Sequence, residues 1–269
     1  MSWYDGLEAG ELTVRPSVDA AKRFGVSIDR MCVSASAGTP LAEVLAAVER
    51  STAEVIVLRY PARETTWFAA LASGPRRALL ADTVVYWSLP TGKGRRPAPL
   101  AGFTAHVEPA ADDVLVDDLV ADVFGDSGNH YCANPQFDRG LALAGRQDWA
   151  RRRIADAGAV VLRGPDRRVL ALAAIDQQRS WTEVQLAGVV PAEQGRGRYG
   201  HLLAAIEDAC TSRRLVVSTQ AHHTGIQRVW ARYGFEPVHN LLTVHLVAAT
   251  QPVLLGGTRK PATRGVLPE

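Results

Sequence analysis

Hydrophobic positions along this chain follow two alternating rhythms, short β-branched runs and one-sided helical stripes. Residues 11–15 and 31–35 read as short strands. Residues 41–49 place Leu41, Val44, Leu45 and Val48 at i, i+3, i+4 and i+7, which predicts a helix with one buried face and Thr39 as its cap. The run EVIVLRY at 54–60 predicts a buried strand, 64–71 a short helix ending near Gly74, and 78–89 a further strand. This is an α/β pattern. The segment TGKGRRPAP at 91–99 interrupts it with glycines, prolines and cations, which is loop chemistry, and predicts a linker between an N-terminal domain (1–90) and a second domain (100–248).

The second part opens with a predicted strand at 100–107. A helix at 112–123 aligns Val116, Leu119, Val120 and Val123. Polar and aromatic residues interrupt at 129–135, and a cationic helix follows at 149–157. Runs at 160–163 and 169–175 predict a hairpin turning at Gly164-Pro165-Asp166. A strand at 183–190 ends at Pro191. A helix at 199–212 buries Leu202, Leu203, Ile206, Ala209 and Cys210. A strand at 215–219, a helix at 226–233 stopping at Gly234 and a strand at 241–247 complete the pattern. Residues 249–269, rich in Pro, Gly and Arg, predict a loosely held tail. No internal repeat is visible in the sequence. The expected fold class is α/β with a mixed sheet.

Composition narrows the function classes. At 269 residues the chain accommodates one large or two modest domains. A hydrophobic fraction of 47% excludes a disordered, solvating chain. A net charge of +2 without a concentrated basic surplus argues against a nucleic-acid partner. Lys22, Lys93 and Lys260 are the only lysines among 30 cations, which with the abundant alanine suggests a bacterial chain of high-GC coding. Cys32, Cys132 and Cys210 are too scattered for a disulfide framework or a zinc knuckle, so buried thiols and no metal are expected. The absence of a long apolar run argues against a membrane span. The N-terminal MSWYDGLEAGEL lacks the pattern of a signal peptide. A cytoplasmic protein is the expectation.

The sharpest local feature is VVPAEQGRGRYGHLL at 189–203. A strand ends at a proline, passes a glycine-rich turn and opens a helix. That arrangement leaves free N–H groups at a helix N-terminus, where a phosphate or pyrophosphate binds. Glycines let the backbone approach the anion, and Arg196 and Arg198 add charge. A plain strand-to-helix connection is the alternative. Gly195, Gly197 and Gly200 also supply the spacing of a dinucleotide-binding fingerprint, but the next strand, RLVVSTQ, ends without the ribose-binding acid.

The string resembles motif A of the GNAT superfamily of acyl-CoA N-acyltransferases, (Gln/Arg)-x-x-Gly-x-(Gly/Ala). Gln194 and Gly197 match in register, while Tyr199 stands at the last position and the glycine is displaced to Gly200. Those proteins usually continue with a strand, an asparagine and a helix ending in Tyr-x-x-x-Gly-Phe, and here Trp230-Ala231-Arg232-Tyr233-Gly234-Phe235 supplies the ending. The order of Arg23-Phe24-Gly25, EVIVLRYPA, Asp82-Thr83, Asn129-His130-Tyr131, Asp148-Trp149 and STQAHH…QRVW more narrowly resembles the TDP-fucosamine acetyltransferase type. That resemblance implies a C-terminal GNAT domain behind a small α/β domain, for which a degenerate GNAT-like half is one reading. It further implies acetyl-CoA as acyl donor, and an amine acceptor such as a nucleotide-linked amino-sugar.

The same resemblance assigns residues. Val189 and Val190 would hold the thioester carbonyl and pantetheine through backbone N–H groups. The tyrosine that often protonates the departing thiolate is replaced by Trp230, and the usual asparagine by His223, which can hydrogen-bond the pantetheine arm or be a loop residue of no consequence. Glu183, at a position where some GNAT enzymes carry a base, is a candidate base or an exposed strand carboxylate, and Asp176 shares both readings. His130, Tyr131 and Asn134 are candidate acceptor contacts or a helix cap. Three functions follow: a small-molecule N-acetyltransferase, which is also a possible homodimer; a non-catalytic acyl-CoA-binding module left after loss of the tyrosine; or a peptide or protein N-acetyltransferase. No nucleic-acid or membrane partner is expected.

Overall fold

The computed structural model describes residues 2–36, 38–109, 111–125 and 129–249, so the predicted tail lies outside the described residues except for Ala249. The N-terminal part runs α1 (Trp3–Glu8), β1 (Thr13–Pro16), α2 (Val18–Phe24), β2 (Ile28–Cys32), α3 (Leu41–Arg50), β3 (Val55–Pro61), α4 (Trp67–Ala72) and β4 (Arg77–Pro90). The remainder runs β5 (Thr104–Glu108), α5 (Asp113–Phe124), a 3-10 turn (His130–Ala133), α6 (Arg139–Ala157), β6 (Ala159–Arg163) and β7 (Val169–Gln177). It ends with β8 (Thr182–Val189), α7 (Arg198–Ala209), β9 (Arg214–Gln220), α8 (Thr224–Tyr233) and β10 (Glu236–Val247).

Local chemistry explains most boundaries. Ser2 and Asp5 form a reciprocal capping box at α1, an element the hydrophobic pattern did not reveal. Asp138 accepts from the Leu141 N–H and starts α6, which begins at Arg139 and not at 149. Gly140 and Gly145 had concealed that extension. At Gly145 an added Cβ would lie 2.3 Å from the Arg23 guanidinium carbon, so the glycine leaves room for the Arg23 head group, which reaches Asp148 of α6 at 3.5 Å. Thr39 does not cap α3: the helix follows Pro40 without a side-chain cap. Of the three cysteines, Cys32 is buried, while Cys132 and Cys210 are half-buried; all three are free thiols.

All ten strands form one mixed sheet, in the order β1-β2-β3-β10-β4-β9-β8-β7-β6-β5. A repeat invisible in the sequence emerges here. β2-α3-β3-α4-β4 and β8-α7-β9-α8-β10 share one element order, and each begins with a parallel pair, β2 with β3 and β8 with β9. The closing strands are exchanged. β10 lies between β3 and β4, and β4 lies between β10 and β9, so each half completes the other. Segment 91–99 is no break in the sheet and is itself anchored. Gly92 and Gly94 donate to Glu207 at 2.6 and 3.1 Å, and Arg95 donates to the Tyr233 carbonyl at 2.6 Å.

Helices cover both faces. α3 and α4 pack on Ile56, Leu58, Val244 and Leu246, and α7 and α8 on Leu215, Val217 and Val184. On the other face α1 covers Val84, Tyr86 and Val216, and α5 and α6 cover Val161, Leu172 and Leu186. Because β10 and β4 are indispensable to both halves, heat unfolding of the described chain is expected to give one cooperative transition, with fragment 1–99 unfolded on its own. Two resolved calorimetric transitions would contradict the exchanged sheet.

Candidate active site

The sheet opens at one place. β8 and β9 pair through Thr182, Glu183 and Val184, with Leu215, Val216 and Val217 opposite, and then diverge, although β7 follows β8 to Val189. The Val190 N–H donates to the Leu170 carbonyl at 2.9 Å, so that group is spent on β7 and is not available to a ligand. Strand alternation then turns the Val189 N–H the other way, into the wedge. The equivalent gap in the N-terminal half is closed: the Val33 N–H donates to the Arg59 carbonyl at 2.9 Å beyond the end of β2.

A cavity of about 1530 Å³ runs through the wedge. At one end lies the glycine loop. Gly195 and Gly197 have φ of 72° and 76°, and a Cβ built on either meets no atom within 4 Å, so the loop is an open cradle. Gly197 precedes α7 as its N-cap with no side-chain bond; the Gly200 N–H donates back to the Gly197 carbonyl at 3.1 Å, so the N–H groups offered to a ligand are those of Arg198 and Tyr199. Gln194 fixes the loop, donating to the Val189 carbonyl at 3.1 Å and to Asp122 at 2.6 Å. Gly200 has no steric need to be glycine, since a Cβ there would meet Pro97 at an ordinary 3.7 Å. The two arginines differ. Arg198 lines the cavity, paired to Glu193 at 3.0 Å and stacked on Phe103, while Arg196 is exposed and outside the lining. These features suit a pyrophosphate.

Midway lie Trp230 and Tyr199. Trp230 is 3% exposed, and its Nε1–H donates to the Tyr199 hydroxyl at 3.4 Å. The indole is therefore a packed donor, and the hydroxyl it addresses belongs to Tyr199. Burial pushes the Tyr199 pKa up to about 12, and the Trp230 bond opposes that rise. Tyr233, the tyrosine of the helix ending, is outside the cavity and donates to Glu207 at 2.9 Å. His223 lines the cavity and pairs with Thr219 Oγ1 at 2.9 Å. Burial, then His222, hold its pKa below the usual value, so the ring is neutral at pH 7.

On the opposite face of the wedge is Glu183, 7% exposed, which removes the reading of an exposed strand carboxylate. Burial raises its pKa to about 7; Asp5 and Asp176 add to the rise, and hydrogen bonding from Ser2 and Gln185 holds it back. Its Oε2 has no hydrogen-bond partner among the described residues. Asp176, the other candidate base, is tied to Arg153 at 3.2 Å and to Gln185 at 3.1 Å.

His130 and Tyr131 line the cavity's far end. His130 Nδ1 meets His245 Nε2 at 2.9 Å, and burial holds both imidazoles below their usual pKa, His245 at about 3. Asn134 does not reach the cavity; it is fully buried and its Oδ1 caps the turn at the Gln136 N–H. Arg30, Arg59 and Arg146 line the same end and were not among the residues expected from the sequence. A signal existed: Arg59 is the lone cation in an otherwise apolar strand. Among the described residues no cluster of acids, histidines or cysteines could hold a metal, and no helix is long and apolar enough to cross a membrane.

No protein-family model matches the sequence, and no curated protein matches it. Solved structures do. A GCN5-related N-acetyltransferase from Sphaerobacter thermophilus is 15% identical, over 87% of this chain and 76% of that one, with a TM-score of 0.52. One from Kribbella flavida is 18% identical over 83% and 82%, with a TM-score of 0.52. A tandem GNAT protein from the clavulanic acid biosynthesis pathway is 12% identical over 85% and 77%, again at 0.52. The repeated element order of the two halves accords with the tandem protein, and the chain has the mixed α/β fold of the GCN5-related N-acetyltransferases.

Proposed function

We propose that this protein is an N-acetyltransferase moving an acetyl group from acetyl-CoA to the primary amine of a small molecule, by direct attack in a ternary complex. The observation that carries the reading is the open wedge between β8 and β9, which leads from an unobstructed glycine cradle to a buried carboxylate of raised pKa. The backbone of the 194–200 loop holds the pyrophosphate, and the Val189 N–H faces the thioester carbonyl, where it stabilises developing negative charge. Ionised Glu183 takes one proton from the incoming ammonium, directly or through water. The neutral nitrogen bonds to the carbonyl carbon, the C–S bond breaks, and the second nitrogen proton ends on the thiolate. Tyr199, with Trp230 behind it, places an O–H beside the leaving sulfur. His130 and Tyr131 suit a ring-bearing, hydroxyl-rich acceptor such as a nucleotide-linked amino-sugar. A bare acyl-CoA-binding module gives no reason for a poised, half-satisfied carboxylate in the cavity. The N-terminal half, whose wedge is closed, acts as a degenerate GNAT-like half that walls the acceptor.

Gly197→Glu adds bulk and like charge at φ of 76° and is expected to weaken acetyl-CoA binding at least tenfold by calorimetry; unchanged affinity in the folded variant removes the cradle. Glu183→Gln is expected to lower kcat/KM about a hundredfold or more. Wild-type kcat/KM should fall with falling pH below about 7, where Glu183 takes up a proton, and the variant should lose that limb. The stability sign is opposite. A carboxyl with its folded pKa raised from the ordinary 4.5 stabilises the fold when protonated, and that contribution is lost as pH rises from about 4.5 through about 7. Glu183→Gln should therefore be more stable than wild type at pH 8, by on the order of 1–3 kcal/mol in denaturant titration. Equal stability at pH 8 would mean that the carboxylate is not held at a cost. Tyr199→Phe should lower kcat about tenfold while leaving the acetyl-CoA Kd within twofold; an unaltered kcat assigns the thiolate proton elsewhere.

A further inference from the structure

The far end of the cavity concentrates cations. Arg30 from β2 and Arg59 from β3 lie on the same face of the sheet, their guanidinium carbons 3.9 and 4.2 Å from the ring centre of Trp3. Arg146 enters from α6 and is half-buried. Arg59 acts on both of the others. Burial and then Arg59 lower the Arg30 pKa, and burial and then Arg59 hold Arg146 at about 10. The same three arginines help to keep His130 neutral, and Arg59 helps to keep His245 neutral. Among the described residues no Asp or Glu forms a salt bridge with Arg30 or Arg59. The carboxylate that reaches the group is Asp82, beside Arg59 in the row Arg59, Thr243, Asp82 across β3, β10 and β4. Its Oδ1 has no hydrogen-bond partner among the described residues.

Even without counting Arg146, Arg30 and Arg59 have no acid in a salt bridge with them among the described residues, and the carboxylates not paired to other arginines in the lining are Asp82 and Glu183, the latter raised toward neutrality, which leaves a positive surplus in a part-buried pocket. That arrangement is costly unless a ligand compensates it. Stacking on Trp3 holds two planar forks in place before any ligand arrives, which is how arginine recognises phosphate. The Arg59 Nε–H is committed to Thr243 Oγ1 at 3.1 Å, which fixes the stem and leaves the terminal nitrogens to the cavity. Ser2, near Glu183, caps α1 just ahead of Trp3, which lies against Arg30 and Arg59, and Glu183 and both arginines line the same cavity.

We infer that Arg30 and Arg59, with Arg146 beside them, form a receptor for a multiply charged oxyanion, a phosphate or diphosphate, carried by the amine acceptor on a part of the molecule remote from the amine. The inference rests on the reading that this cavity holds the acceptor. It selects phosphorylated or nucleotide-linked amines over neutral amino-sugars, peptides and simple amino acids.

The test is calorimetric titration of CoA-saturated protein with inorganic pyrophosphate, phosphate and succinate, so that the glycine loop is already occupied. Pyrophosphate is expected to bind one-to-one and more tightly than succinate. Arg30→Met and Arg59→Met should each weaken it at least tenfold while leaving CoA affinity within twofold. Arg59→Met should also raise the Tm of the anion-free protein, because it removes buried repulsion; an arginine serving the fold alone would lower it. Intact CoA binding with no pyrophosphate binding, or with pyrophosphate binding indifferent to both variants, overturns this inference and leaves acyl transfer standing. Tighter succinate binding overturns the choice of phosphate. If CoA does not bind at all, the acyl-transfer reading fails, and the same titrations on Gly197→Glu protein, whose loop rejects phosphates, still decide the arginine receptor.

Discussion

The exchange of closing strands is the constraint on which the molecule depends. β10 belongs in sequence to the C-terminal half but pairs with β3 along Leu241 to Val247, and β4 returns the exchange by pairing with β9. Neither half has a complete sheet without the other. The exchange also brings the N-terminal strands beside the wedge, with Arg59, Thr243 and Asp82 in one row across β3, β10 and β4. The wall of the cavity follows from the sheet order, not from docking of two finished domains.

Burial then sets the chemistry. The same loss of water raises a carboxyl, Glu183, toward neutrality and lowers two imidazoles, His130 and His245, away from charge. One part of the cavity is left with a carboxyl poised near pH 7, and the far end with arginines that stay charged. The glycine-loop end differs in kind. It relies on backbone N–H groups and open glycines, and its arginines are partly neutralised by Glu193. On the function proposed above, the N-terminal half contributes acceptor recognition and the C-terminal half the donor site.

Strands and helices with strong periodicity were legible in the sequence, as was the glycine loop, because a proline ends a strand and spaced glycines make a turn. The exchange was not, because pairing between residues 77–90 and 236–247 leaves no trace in local pattern. Segment 91–99 looked like a free linker since its anchor, Glu207, sits on a distant helix. Glu183 and Asp176 looked alike as strand-end carboxylates; only burial and the Arg153 partner separate them. Asn134 looked like a ligand contact because a polar residue in a loop reads the same whether it caps a turn or faces a cavity. Trp230 marked a real departure, but its consequence, a donor directed at Tyr199, required the packing of α8 on α7.

Amide hydrogen exchange with and without saturating CoA tests the central claim most directly, since it maps the donor onto one of two halves with the same element order. Slowed exchange is expected at Val189 and through residues 195–200, at the open wedge and its cradle. No change is expected at residues 33–36, in the corresponding, closed position of the N-terminal half. Protection centred on the N-terminal half, or none in the 195–200 loop despite bound CoA, would contradict that claim.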